Sequence, residues 1–130
     1  MPVYTLACTQ PLPVTVRKAV ANTITDVHCA VTGAPSEFVN VLFLHGQRTR
    51  HGERLAGIGN VRSGGNRNQE LTHSLQTAIH EGVAVAANFP VTEVSVRLIG
   101  FPASWGMEGG EILPEPGAED AWLNLSLIHI

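Results

Sequence analysis

The sequence predicts an α/β (α+β) protein. Two tandem βαβ units share one four-stranded sheet, with both helices on one face. Three observations carry this reading. Residues 14–31 and 68–86 repeat apolar side chains every three or four positions, as amphipathic helices do. Short β-branched or alternating runs flank each helix, as strands do. The arrangement occurs twice, over about residues 2–44 and 55–99, so one unit repeats. A single βαβ unit buries little apolar surface, which favours one common sheet.

Residues 3–8, Val-Tyr-Thr-Leu-Ala-Cys, form the first predicted strand, and Pro11 and Pro13 end it. In the first helix Val16, Val20, Ile24, Val27 and Val31 make the apolar stripe. Arg17, Lys18, Asn22 and Asp26 lie on the other side, and Gly33 is the stop. Residues 37–43 form a second strand, apolar enough to be covered on both faces, reached by a right-handed crossover. Residues 45–54 are polar and basic and read as an exposed loop or hairpin. Residues 55–61 are a short glycine-containing strand and 62–67 a turn. The second helix has Leu71, Leu75, Ile79 and Val83 on one face, with Asn66 or Asn68 as its N-cap. Residues 94–99 alternate strictly, with Val94, Val96 and Leu98 inward and Ser95 and Arg97 outward. The tail, 100–130, is rich in glycine and proline, then acidic, then contains Trp122-Leu123. An apolar sheet face would otherwise stay open, so the tail is expected to wrap a neighbouring copy.

The composition bounds the function. The chain has 130 residues, 44% of them hydrophobic and 15% charged, which suits one domain with a real core. A net charge of −3 advertises no basic face, so nucleic acid is not an expected partner. Cys8 and Cys29 lack zinc-type spacing and read as buried thiols in a reducing compartment. No secretory leader opens the chain and no apolar run reaches about 18 residues, so a soluble, cytoplasmic protein without membrane contact is expected. The sequon at Asn124 therefore carries no weight. His73 and His80 could share a helix face but lack a third ligand, so no metal is expected. Gly57-Ile58-Gly59 does not extend to a dinucleotide fingerprint, and Gly64-Gly65 lacks the Lys-Ser/Thr of a phosphate loop. No cofactor is expected.

Pro2 is the chemically unusual residue. Removal of Met1 would leave it with a free secondary amine, able to act as nucleophile and as general acid or base without a triad. A proline in second position is also compatible with a simple chain end.

An amino-terminal proline ahead of two βαβ units resembles the tautomerase superfamily, with its macrophage migration inhibitory factor-like fold. Within it the chain most resembles the cis-3-chloroacrylic acid dehalogenase group. The residues that carry the resemblance are Pro2-Val3-Tyr4, the segment from Ala21 to His28 with its Ile-Thr-Asp-x-His, and Val39 to Phe43. Val61-Arg62-Ser63-Gly64 and the closing Glu108-x-Gly110-x-x-Leu113-Pro114-x-Pro116-Gly117 complete it. The resemblance implies a cofactor-free homotrimer acting on a small carboxylate near subunit interfaces. It places the catalytic proline on Pro2, the substrate-binding histidine on His28, and the carboxylate-binding arginines on Arg62 and Arg67. The water-activating glutamate falls on Glu108. The family's tyrosine falls on Arg97, a departure. Four residues separate Arg62 from Arg67 where the family has two, a second departure.

These groups support two modes. A desolvated amine beside Arg62 and Arg67 is driven toward its neutral form, which can move a proton next to a carbonyl and so tautomerise an enol. A protonated Pro2 could instead donate to an alkene or alkyne carbon while Glu108 delivers water, which is hydration or dehalogenation. Arg97 cannot act as a base, and serves either as a partner of Glu108 or as a third carboxylate ligand. The same residues could support decarboxylation of a keto acid. The alternative is a catalytically silent oligomer of this fold that binds a small acid or a protein. Each residue also has an ordinary reading: His28 as a cation at a helix C-terminus, Arg62 and Arg67 as solvated turn residues, Glu108 as an exposed loop carboxylate, and Arg97 in a surface salt bridge.

Overall fold

The computed structural model describes residues 2–65 and 67–120. Met1, the alternative cap Asn66 and Trp122-Leu123 lie outside the described residues. The elements are β1 (Val3–Cys8), α1 (Val14–Thr32), β2 (Asn40–His45), β3 (Leu55–Ser63), α2 (Gln69–Ala87), β4 (Val94–Pro102), and the short β5 (Met107–Glu108) and β6 (Glu111–Ile112). The sheet has the order β2-β1-β3-β4. Within each βαβ unit the strands are parallel (β1 with β2, β3 with β4). The units join through the antiparallel pair β1–β3.

Both helices pack on one face and on each other. Tyr4, Leu6 and Cys8 point to that face from β1, and Leu55 and Val61 from β3. The helices answer with Val20 and Ile24 from α1 and Leu75, Ile79 and Val83 from α2. Gly33 takes a left-handed φ of 76° and its N–H closes α1 on the Cys29 carbonyl, as a C-terminal glycine does. Asn68 caps α2, its side chain accepting from the Leu71 N–H at 2.8 Å.

Three expectations change. The second strand begins at Asn40, because Ser36–Phe38 form a 3₁₀ turn after Pro35. It lies at the sheet edge, and Leu42 is 52% exposed rather than covered on both faces. An apolar edge strand and a central one have the same composition, so the sequence does not separate them. Arg62 lies inside β3, not in a turn. The described part of the tail also meets its own chain: the Pro114 carbonyl accepts from Arg62, and Pro116 lies over Gly65.

Candidate active site

Every second residue of β1 faces the helices, so Pro2 continues the row of Tyr4, Leu6 and Cys8, and it is buried. Its carbonyl accepts from the Asn40 N–H at 3.1 Å. Val3 pairs with Asn60, so one further step brings Pro2 level with Val61, beside Arg62. The amino-terminal proline thus opens at the end of β3 that carries the arginine.

His28 stands one helical turn beyond Ile24 on the buried stripe of α1 and is fully buried. Its Nδ1 lies 2.8 Å from the Tyr4 hydroxyl. Burial first, then the Arg67 and Arg62 charges, push its pKa down to about 4, so the ring is neutral near pH 7. Burial also drives the Tyr4 phenol well above its ordinary value, so it keeps its proton. A buried phenol proton needs an acceptor, and Nδ1 supplies one, which puts the imidazole proton on Nε2. That Nε2 is buried without a partner among the described residues. The reading of His28 as a helix-terminal cation is therefore overturned.

The long turn between the arginines closes on itself. Gly64 and Gly65 take left-handed φ values of 97° and 60°, and the Arg67 N–H donates to the Gly64 carbonyl at 3.0 Å. Arg67 thereby returns to Arg62, where its Nη1 donates to the Arg62 carbonyl at 3.2 Å. Burial and the Arg62 charge both lower the Arg67 pKa. Arg62 is 1% exposed, so it is no solvated turn residue. Its Nη2 donates to Glu119 at 2.7 Å and its Nη1 to the Pro114 carbonyl at 2.6 Å. The Nε atoms of both arginines are buried and without partners among the described residues. A cavity of about 460 Å³ opens between the arginines and the start of α2, lined among others by Val61, Arg62, Arg67, Asn68, Gln76 and Gly100; Pro2 and His28 do not line it.

Pro2, His28, Arg62 and Arg67 therefore gather in one region, while Arg97 and Glu108 do not join them within the chain. Arg97 is exposed on the sheet face away from the helices, level with Ile58. Glu108 sits in the β5–β6 hairpin, half-buried, with no side-chain hydrogen bond or ion pair among the described residues. Sequence reasoning missed two members of the cluster. Tyr4 figured as a strand residue and in the segment that carries the resemblance but was given no role in the site, and its position on the Pro2 row was the available signal. Glu119 carried no signal, since its partner lies 57 residues away.

The fold is that of the tautomerase superfamily. The solved structure of N1, a member of the cis-3-chloroacrylic acid dehalogenase family, superposes with a TM-score of 0.81 at 27% identity. The match covers 96% of this chain and 94% of that one. Within the superfamily the chain is thus similar to the cis-3-chloroacrylic acid dehalogenase family over nearly its whole length. Two further structures share the fold. Pt0534 inactivated by 2-oxo-3-pentynoate matches with a TM-score of 0.72 at 24% identity, over 85% of this chain and 94% of that one. An asymmetric trimer of fused 4-OT matches with a TM-score of 0.68 at 18% identity, over 85% and 94%. No protein-family model matches the sequence, and no curated protein does. Among the described residues no helix is long and apolar enough to cross a membrane, and no three His, Cys, Asp or Glu side chains gather to hold a metal.

Proposed function

We propose that the protein is a cofactor-free enzyme that uses the Pro2 amine as general acid or base on a small unsaturated or 2-keto/enol carboxylate. One observation carries the reading. His28 Nε2 and Arg67 Nε are buried donors without partners among the described residues, beside the strand that Pro2 opens. Unmet buried donors are costly, and a carboxylate supplies the missing acceptors. A substrate held by its carboxylate here presents its adjacent carbons toward Pro2. A neutral Pro2 takes a proton from the carbon next to the carbonyl and returns it elsewhere, which is tautomerisation. In the hydration or dehalogenation mode, a protonated Pro2 gives its proton to one alkene carbon while Glu108 deprotonates the water that attacks the other. Tautomerisation is the better supported of the two, because Glu108 stands apart from the cluster.

The working form is a homotrimer, in keeping with the fused 4-OT trimer of the same fold. Arg97, on the face away from the helices, is then available to a neighbouring subunit.

The test is chemical. An amine adds to an electron-poor alkyne, so 2-oxo-3-pentynoate should raise the intact mass by one adduct, mapped by peptide sequencing to Pro2 after loss of Met1. Pro2→Ala should abolish the adduct and cut turnover of enol and unsaturated acids by about two orders of magnitude or more. Full turnover by folded Pro2→Ala sinks the proposal. Carboxylate binding without turnover, with Pro2 free, favours a silent binding protein.

A further inference from the structure

The two arginines are not equivalent in this chain. Arg62 has both terminal nitrogens committed, one to the Pro114 carbonyl and one to the Glu119 carboxylate. The pair is buried, with the Glu119 side chain 13% exposed. Glu119 is itself fixed by the Gly117 N–H, which lies 3.0 and 3.2 Å from its two oxygens. Burial acts to raise its pKa, but the hydrogen bonds from Arg62 and the backbone outweigh it and hold the carboxyl below its usual range. The tail is built against the arginine turn. A Cβ at Gly65 would stand 2.8 Å from the Pro116 carbonyl, so only glycine lets the tail lie there.

We propose that Glu119 is a specificity-determining residue: it removes Arg62 from the ligand set and leaves Arg67, with His28, to bind a single carboxylate. This rests on the reading of the cluster as a carboxylate site. With His28 neutral and the Pro2 amine neutral, as in the tautomerising mode, two arginines against one glutamate leave one positive charge. A monocarboxylate balances that charge. A dicarboxylate brings a second negative charge into a partly desolvated site with no cation to meet it. Arg62 becomes the anchor of the tail, and the remaining free cation of the pair is Arg67, whose Nη1 meets only a backbone carbonyl. The pattern of two ligating arginines that the family resemblance implies is thereby reduced to one.

Calorimetric titration of the full chain with acrylate and with maleate decides the matter. Wild type should bind acrylate about tenfold or more tighter than maleate. Glu119→Gln keeps a hydrogen-bond acceptor for Arg62 but frees its charge, and should tighten maleate about tenfold. Arg67→Gln should weaken acrylate by about tenfold or more. An unchanged preference in Glu119→Gln with a normal melting curve overturns the proposal and leaves the carboxylate site standing. So does a wild-type preference for maleate, or undiminished acrylate binding by Arg67→Gln, and these two arms decide even if Glu119→Gln fails to fold. Absence of binding by wild type and both variants overturns the carboxylate site, and this inference with it.

Discussion

His28 shows how one residue couples the site to stability. Its pKa falls from the ordinary imidazole value of 6.5 in the unfolded chain to about 4 in the folded one, because burial and the arginines disfavour the imidazolium. Between those values the unfolded chain binds the extra proton and the folded chain does not. Stability therefore rises with pH across that window and is lost as pH falls through it, by about 3 kcal/mol at most. Glu119 adds a loss of the same sign, since its folded pKa is depressed, but only below its ordinary value of 4.5. The two are separable. Urea denaturation should show wild type losing stability between pH 6.5 and 4.5, and His28→Gln, which retains a hydrogen-bonding side chain, should be much flatter there. An equally steep loss in His28→Gln would exclude the buried neutral imidazole as its source.

At the scale of elements, β3 is shaped around Tyr4. Gly59 pairs with Tyr4 on one side and Leu98 on the other. A Cβ there would stand 2.5 Å from Tyr4 Cε1 and 2.7 Å from Leu98 Cδ2. Both side chains are buried in the core, so neither moves freely. Gly59→Ala should cost about 1–3 kcal/mol by overpacking. It should also loosen carboxylate binding, because the displaced ring carries the hydroxyl that orients His28. Thermal melting and acrylate titration check both effects, and a fully stable Gly59→Ala with wild-type binding would refute the argument. The same elements explain what the sequence could tell. Helices α1 and α2 were legible because Val20, Ile24, Leu75 and Ile79 repeat at helical spacing, and Gly33 and Asn68 are terminal signals with a local mechanism. The alternation of Val94, Val96 and Leu98 likewise marked β4 and put Arg97 on the far face. Placement of β2 at the edge was not legible, since it depends on which strand β1 pairs with next. The buried pair Arg62–Glu119 was hidden for a related reason: neither residue carries a local sign of a partner so distant in the chain. Pro2, His28 and Arg67 were placed in the site by resemblance; the reason Arg67 returns to Arg62 is the left-handed pair Gly64-Gly65, which spacing alone did not reveal.

At the scale of the molecule, the face of the sheet opposite the helices is left uncovered by the described residues. Leu42 and Ile58 flank Thr5 across one rung, and Ile58 is 46% exposed; Leu44 and Ile99 extend the same apolar face. A contiguous apolar face of this kind rarely stays in water. Three copies packed by these faces would bury it and bring Arg97, on the rung of Ile58, to a neighbour. Sedimentation velocity of wild type should give the mass of a trimer, and dilution should produce monomer without an intermediate unfolded species. Ile58→Asp places a charge at the middle of the face, where it would be buried without a partner. That variant should sediment as a monomer with its helical circular dichroism intact, because its core, built from Tyr4, Ile24, Leu75 and their neighbours, lies on the other side of the sheet. If Ile58→Asp remains a trimer, the copies associate through another surface, and Arg97 loses its route to a neighbouring site.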